Sequence, residues 1–375
     1  MRVLHVVSTS QRRGAEVFAS DLVRQLARAG ICQHVAVLWG PPSAGVAFQA
    51  EVTALSSDGG RVHAGWAVRA ATLRGVAREW RPDVVHAHGG DALKHAVLAD
   101  PRARAPIIYR NIGLAGPWAK RGARRWLYTL LMRRAAKVVA VAEVVGRETV
   151  ATFRVPTARV VTLPNLVDAD RLRPATERGE VRRRLGVPAA ARVALTVGSL
   201  SWEKDPLAQL QVAAAVLEAR PDAFFLIVGD GPMAGELHLE VERRRLGGRV
   251  LLLGGRDDVA DLLGAADVLV LASRSGGMEG MPAVVIEAGL AGVPVVSFDV
   301  AGVSEVVEHG HTGLLVPPGD RAALADGVRA LFDHDALRRQ LGRRAQDRCR
   351  QSFSFEGRLG AYLDLYAEVA AQAAR

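Results

Sequence analysis

Cysteine is almost missing from this chain. The two present, Cys32 and Cys349, lie far apart in 375 residues, which gives no disulfide framework and no zinc-ligand spacing and points to a reducing setting. Long hydrophobic runs are missing too. No apolar stretch reaches the ~18–20 residues needed to span a bilayer, and the N-terminal MRVLHVVSTS has too short an apolar core for a signal peptide. The expectation is a cytoplasmic protein, with peripheral attachment to the inner face of the membrane as its one membrane option. Aromatic residues make up only 5% of the chain and no nucleic-acid-binding motif occurs, so no nucleic-acid partner is expected despite a net charge of +10. Neither a GxGxxG fingerprint nor a Walker-type lysine loop is present, which disfavours nicotinamide, flavin and P-loop chemistry. Lysine is scarce among the cations: only Lys94, Lys120, Lys137 and Lys204. Acidic residues are scarce in one half. Residues 1–170 carry 24 Lys and Arg against 12 Asp and Glu, and the remainder 25 against 27. The basic surplus therefore belongs to the N-terminal half, which suits an acidic acceptor or an anionic membrane surface there.

What is present is a globular composition, 49% hydrophobic and 23% charged, long enough for two domains. Short β-branched runs alternate with amphipathic segments. Strands are expected at 3–7, 34–38, 84–86, 107–109, 138–141 and 160–163, then at 193–197, 224–228, 250–253, 268–271 and 293–297. Helical patterns lie between them, as at 16–29, 66–79, 207–220 and 322–332. Such alternation indicates buried parallel sheets. The fold class is α/β, two doubly wound Rossmann-like domains facing across a cleft. The first domain is set at residues 1–168, an Arg-, Pro- and Glu-rich linker at 169–190, and the second domain at 191–350. Ligands of such sheets bind beyond the carboxyl ends of the strands.

Most candidate residues follow predicted strands. Met278 to Gly289, MEGMPAVVIEAG, holds Glu279 and Glu287 eight positions apart, about two helical turns. Between them, Gly280, Met281 and Pro282 lead into a helix over 283–291, with Pro282 suited to its first turn. Free N–H groups at such an end attract a phosphate, and a carboxylate on either side suits sugars flanking a diphosphate. A dipole-favoured glutamate and a solvated one would look the same. Gly198 in VGSLSWEKDP permits close backbone approach, and Lys204 offers a point charge to phosphate. Gly229 and Gly231 in VGDGP read as turn glycines. Arg256 in LGGRDDV faces either a nucleobase or solvent. In the first domain, Gly14 opens a helix and offers a diphosphate contact. His86 and His88 in VVHAHGG share one side of a strand. A metal pair is one reading, with no third ligand nearby in sequence; packing for His86 and cleft access for His88 is the other. Asp168-Ala-Asp170 looks like a metal-binding DxD but sits in the crossover between domains. Lys120 to Lys137 mixes six basic residues before position 135 with Trp126 and Tyr128; its Leu127, Leu130 and Leu131 stripe reads as core, the rest as membrane-facing or solvated.

These residues resemble one family, the retaining glycosyltransferases of family four with the GT-B fold. EGMPAVVIE matches the E-x7-E motif, and AGLAGVPVVSFDVAGVSEVVEHGHTGLLVPPGD is its characteristic continuation. The match covers nearly all of the second domain and the first more loosely. The resemblance implies a UDP- or GDP-sugar co-substrate, no cofactor and no metal. It implies that Glu279 holds the transferred sugar, Glu287 the ribose, and Gly280, Met281 and Pro282 the diphosphate and sugar. Lys204 would neutralise the leaving group, Gly14 would lie near it, and His88 beside the donor sugar. His88, Lys204 and Glu279 are then the catalytic set. Gly14, Gly198, Ser199, Arg256, Gly280, Met281, Pro282 and Glu287 bind donor. The acceptor would be a glycan, polysaccharide or lipid-linked molecule in the first domain, and residues 351–375 the helix crossing back onto that domain. Three positions depart from the pattern: Ser199 stands where arginine is usual, PNLVD (164–168) lacks its glycine, and Arg13-Gly14 replaces a glycine pair. A sugar-nucleotide epimerase or hydrolase, and a non-catalytic sugar-nucleotide-binding subunit, remain as alternatives.

Overall fold

A computed structural model describes residues 1–40, 45–56, 65–101, 104–116, 119 and 122–373. Lys120 and Arg121, part of the basic segment singled out above, lie outside the described residues. The chain forms two compact units, residues 1–166 with 358–375, and residues 167–357.

The first unit runs β1 (Arg2–Thr9), α1 (Gly14–Arg28), β2 (Cys32–Trp39), β3 (Glu51–Ala54), α2 (Trp66–Trp80), β4 (Val84–His88), α3 (Gly90–Ala99), β5 (Ile107–Asn111), α4 (Gly122–Arg134), β6 (Lys137–Ala140), α5 (Glu143–Phe153) and β7 (Val160–Thr162). Its sheet has the order β3-β2-β1-β4-β5-β6-β7, and every neighbouring pair is parallel. The strand order reverses between β1 and β4. At such a switch point the flanking connections leave the sheet in opposite directions and open a crevice at the carboxyl ends. Thr9 and His88 end these two strands.

The second unit runs α6 (Arg178–Arg184), β8 (Arg192–Val197), α7 (Pro206–Ala219), β9 (Ala223–Val228), α8 (Ala234–Arg243), β10 (Val250–Leu252), α9 (Val259–Ala265), β11 (Val268–Leu271), α10 (Ala283–Leu290), β12 (Val295–Phe298), α11 (Val303–Val306), β13 (Gly313–Val316), α12 (Arg321–Asp333) and α13 (Asp335–Phe353). Its parallel sheet has the order β10-β9-β8-β11-β12-β13, with the switch between β8 and β11. A last helix, α14 (Phe355–Ala373), follows; from Arg358 onward it belongs to the first unit. The two parallel-sheet α/β units are those the alternating pattern predicts.

Residues 169–190, which composition marks as a linker, are built into the second unit. Ala175 N and Thr176 N donate to Asp261 Oδ1 at 2.7 and 3.1 Å. Arg178 and Arg182 of α6 pair with the buried Asp267 at 2.7 and 3.0 Å, and Arg182 donates to three further carbonyl oxygens. The Asp168 carboxylate accepts from Asp170 N at 3.0 Å, and Asp170 pairs with Arg173 at 2.8 Å, so both aspartates serve a turn.

One element departs from expectation in its burial. Of the leucine stripe read as core on α4, only Leu131 is buried, at 4% exposure, beside Met132; Leu127 and Leu130 are 38% and 48% exposed, and Trp126 67%. Trp126, Leu130 and Arg133 or Arg134 follow one another at i, i+4 and i+7 or i+8, along one face. The helix is set down through Leu131 and Met132, which turns the other two leucines outward.

Candidate functional site

In the second unit, the turn after β8 carries Gly198 and Ser199 and closes in a single 3-10 turn, Trp202–Lys204. Asp205 then takes a left-handed φ of 45° and caps α7 by accepting from Ala208 N at 3.2 Å, with Pro206 at the start of the helix. Lys204 is thereby held outside the helix, away from the positive end of its dipole. The side chain runs back past Gly198, and its ammonium pairs with the Glu279 carboxylate. Gly229 and Gly231 let this turn pass: a Cβ at either would lie 1.8 Å from Gly198 O or 2.5 Å from Leu200 O.

The Glu279 segment is held from behind in the same way. Gly302 has φ 76°, and a Cβ there would lie 1.6 Å from Gly280 O. Met281 is buried at 4% exposure. Pro282 is the N-cap of α10, one position before the helix proper, and no side chain caps that end. The first N–H groups of α10 therefore have no intrahelical acceptor. On α10, Glu287 is 9% exposed and accepts from Arg171 Nη2 at 2.8 Å. The helix is seated by Gly289, whose missing side chain admits Cys349 of α13; a Cβ would come within 2.4 Å of its Sγ. Each glutamate of the pair thus holds a cation, Lys204 for Glu279 and Arg171 for Glu287.

Two expected residues sit differently. Arg256, offered to a base, makes a bidentate pair with Asp258 at 2.8 and 2.5 Å on the exposed loop after β10. That pair draws the Asp258 carboxyl below its usual range. Ser199 is exposed, its hydroxyl 3.2 Å from that of Ser201. A second cation beside this turn, besides Lys204, is Arg274, which pairs with Asp205 at 3.0 Å and lies over the Trp202 ring at 5.0 Å. Arg274 and Glu279 line one small recess with Glu203, Gly276 and Gly277.

In the first unit, Gly14 begins α1 behind Arg13, which makes no side-chain cap, and nothing lies within 4 Å of a Cβ position there. Glu16, in the first turn of α1, is 6% exposed, and burial raises its carboxyl pKa. His88 ends β4, and Gly89 follows with φ 88°. His5, His86 and His88 are all at 0–2% exposure. His5 Nδ1 is 3.1 Å from His88 Nε2, His5 Nε2 is 3.1 Å from Gln33 Oε1, and His86 Nδ1 is 2.7 Å from the Tyr366 hydroxyl on α14. Burial holds all three imidazoles neutral, with His5 lowered to about 4 and the other two well below the usual value. Arg110, on β5, is 1% exposed; its guanidinium lies 3.5 Å over the Phe18 ring and donates to Asn165 Oδ1.

His5 is the third histidine that the sequence does not bring near His86 and His88. One ring nitrogen of each lies within 4.8 Å of the others, a spacing that a metal ion can bridge. The surroundings fit a cation poorly. His5 and His88 spend a nitrogen on each other, the other hydrogen-bond partners are Gln33 and Tyr366, and the nearby charge is the buried Arg110, which disfavours positive charge on His86 and His88. A recess of about 610 Å³, lined by Leu73, Arg74, Arg78, Arg81 and Arg104 among others, lies by the amino-terminal halves of β1 and β4, away from the carboxyl ends where ligands of such sheets bind.

Lys204, Gly198 and Glu279 are therefore brought together, as are Gly280, Met281 and Pro282 at the start of α10 with Glu287 along it. Sequence reasoning missed His5, Gln33, Arg110, Arg171 and Arg274. His5 in VLHVV and Arg110 in IIYRN carried a signal, a polar side chain inside an otherwise apolar buried strand. Arg171 and Arg274 carried none.

Comparison with known proteins gives the family. Residues 177–348 match the family described as Glycosyl transferases group 1, and residues 12–171 match the one described as Glycosyltransferase Family 4. The chain is 30% identical over 322 residues to a D-inositol 3-phosphate glycosyltransferase of Streptomyces avermitilis, covering 79% of this chain and 68% of that one. It is 27% identical over 307 residues to the UDP-Gal:alpha-D-GlcNAc-diphosphoundecaprenol alpha-1,3-galactosyltransferase of Escherichia coli, covering 80% and 78%. Against the N-acetyl-alpha-D-glucosaminyl L-malate synthase of Bacillus anthracis it is 29% identical over 214 residues, 57% of this chain and about half, 55%, of that relative. The structure of Anabaena Alr3699/HepE in complex with UDP and glucose superposes with a TM-score of 0.82 at 23% identity, over 100% of this chain and 98% of that one. The chain belongs to the group 1 glycosyltransferases. It is a glycosyltransferase of GT-B fold.

Proposed function

We propose that this protein is a retaining, metal-independent glycosyltransferase of family four, with Glu279 and Glu287 as its E-x7-E pair. It moves a sugar from a nucleoside-diphosphate donor, UDP or GDP, to a glycan, polysaccharide or lipid-linked acceptor. The single observation that carries this reading is the Lys204–Glu279 ion pair beside the uncapped start of α10. It gathers a cation, free N–H donors and a hydroxyl-accepting carboxylate in one place, which is what a sugar diphosphate requires. The second unit holds the donor and the first the acceptor. Names borne by the relatives support both halves, since they include a UDP-galactose enzyme with a lipid-diphosphate acceptor and one named for a phosphorylated inositol.

In the reaction, the bond from the anomeric carbon to the diphosphate oxygen breaks and one to the acceptor oxygen forms on the same face. The acceptor's proton passes to the departing phosphate. Lys204 and the α10 N–H groups stabilise the charge that grows on the leaving group, a task preorganised dipoles and cations perform without reorganising. Glu279 accepts from hydroxyls of the sugar as it becomes oxocarbenium-like, and Glu287, set by Arg171, accepts from the ribose. With a lysine and a helix end meeting the diphosphate, no metal is needed there.

Thermal shift against UDP-glucose and GDP-mannose reads the donor, because a ligand of the folded state raises Tm, and at equal concentration a tighter one raises it more. Glu287→Ala abolishes the shift by the preferred donor. Lys204→Ala keeps it and slows transfer on the order of a hundredfold. Unchanged donor binding and transfer in both variants removes the assignment.

A further inference from the structure

The recess at the amino-terminal end of the first sheet has no part in the reaction proposed above. Its volume of about 610 Å³ is that of a pocket for one drug-sized molecule. Leu73 and Ala77 of α2, Ala96 and Ala99 of α3 and Val85 of β4 form its apolar lining. Alanine at three of these five places leaves room where protein interiors otherwise close-pack. Among the described residues no aromatic, hydroxyl or amide side chain lines the recess. It therefore offers a nucleobase nothing to stack on and a sugar few partners. The body it suits is aliphatic.

The charge of the lining is one-sided. Four arginines, Arg74, Arg78, Arg81 and Arg104, stand against one carboxylate, Asp100. Arg74 has a structural task, since its Nε and Nη2 donate at 2.9 and 3.0 Å to Ala99 O and Leu98 O, carbonyls at the open end of α3. Asp100 has one too, its Oδ2 accepting from Ala105 N at 3.1 Å. Arg78, Arg81 and Arg104 are exposed, and among the described residues their side chains make no hydrogen bond and no ion pair. The dipole of α2 accounts for cations at its own carboxyl end, Arg78 and Arg81. It does not account for a third in the same lining, Arg104, which comes from the loop before β5. Cations gathered without a counter-charge repel one another, and a bound anion removes that repulsion.

We propose that this recess binds a monomeric aliphatic phosphate monoester, its chain against the apolar lining and its phosphate among Arg78, Arg81 and Arg104. Guanidinium forks match phosphate oxygens bidentately. Three uncommitted positive charges suit the near-double charge of a phosphate monoester better than the single charge of a carboxylate. The chain contributes through the apolar area it removes from water. The recess lies away from the carboxyl ends of the strands, so the proposal stands or falls apart from glycosyl transfer.

The test is isothermal calorimetry on the full-length protein with octyl phosphate below its micelle concentration, compared with inorganic phosphate, 1-octanol and octanoate. Octyl phosphate should bind one to one and at least about tenfold more tightly than any of the three. No binding of octyl phosphate, by heat or by a rise in Tm, overturns the site. Inorganic phosphate or octanol binding as tightly overturns the pairing of chain with phosphate, and octanoate binding as tightly overturns the choice of phosphate. The double variant Arg78→Gln, Arg104→Gln should weaken octyl phosphate at least about tenfold. Arg321→Gln with Arg343→Gln, which removes the same charge from exposed places on the second unit, should leave it unchanged. Equal loss in both pairs reduces the effect to net charge, and no loss in the first pair removes the arginines from the site. Ala77→Phe, checked for folding by circular dichroism, should abolish binding by filling the recess; affinity retained in the folded variant places the ligand elsewhere. Vesicles containing phosphatidylglycerol offer phosphate from a bilayer instead, and binding to them should survive Arg78→Gln, Arg104→Gln. A fall in vesicle binding that accompanies the loss of octyl phosphate would make the recess a headgroup contact and overturn the monomer.

Discussion

Lys204 and Glu279 hold each other in the free protein, as do Arg171 and Glu287. Under the proposed function, a diphosphate would compete with Glu279 for Lys204, and each exchange would swap one charge-assisted hydrogen bond for another. The free site therefore keeps its lysine extended without leaving a bare charge. The glutamates could be paired in the sequence because one short contiguous stretch, EGMPAVVIE, carries both. Arg171 was not, because it lies 116 residues from Glu287, and no local pattern encodes such a pairing. Ser199 shows the same limit: the missing arginine is visible in the sequence, while Arg274 comes to that turn only through the fold. The buried histidines have a consequence for stability. His5 titrates near 4 when folded and near 6.5 when unfolded. Below the unfolded value the unfolded chain binds a proton that the folded chain refuses, so stability falls as pH drops from 6.5 towards 4. For His5 alone the loss is on the order of 3 kcal/mol. Calorimetric Tm measured across that window should fall steeply in the wild type and less steeply in His5→Gln; parallel curves would remove His5 as the cause.

Among the elements, the buried strands were the easiest to foresee. β1, β2, β4, β8 and β9 are near-continuous apolar runs, which only a sheet covered on both faces accepts. β3 and β13 went unforeseen. Both are four-residue edge strands that are largely half-exposed, so neither had a long apolar run to betray it. The segment that forms α4 was misread in its facing. Periodicity names an apolar stripe but not which part of a broad stripe meets the core, and here Leu131 with Met132 does. The exposed remainder, Trp126, Leu127 and Leu130 with the exposed Arg124 and Arg133, has the composition of a helix that lies on an anionic bilayer. No helix among the described residues is long and apolar enough to cross a membrane. Co-sedimentation with vesicles containing a fifth to a third phosphatidylglycerol should therefore show salt-sensitive binding. The double variant Trp126→Ser, Leu130→Ser should weaken it at least tenfold, and unchanged binding would make this face merely solvated.

At the scale of the molecule, the two-unit α/β plan was legible from the strand–helix alternation. The division of the chain was less so. Composition suggested a linker where the structure builds Arg178 and Arg182 around Asp267, since an arginine-rich stretch looks solvated until its buried partner is known. The last stretch of α14 completes the first unit. Tyr362, Leu365, Tyr366 and Val369 are 0–4% exposed, Tyr362 is 6.0 Å from Phe18, and Glu368 pairs with Lys137 at 2.9 Å. A chain ending at Gly357 would strip these from the first unit, and each large side chain removed from a core costs about 3–5 kcal/mol. Hydrogen exchange should then rise across β1, β4 and β5 while β8, β9 and β11 stay protected; equal protection in both sheets would count against this dependence.

That arrangement also orders events on the ribosome. Chains fold as they emerge, N-terminal parts first, yet Tyr366 is made only after the whole of the second unit. Until it arrives His86 lacks the hydroxyl it bonds in the finished protein, and the rings around it stand open. The nascent first unit thus waits through the synthesis of an entire second unit before its histidine cluster can close around the Tyr366 hydroxyl.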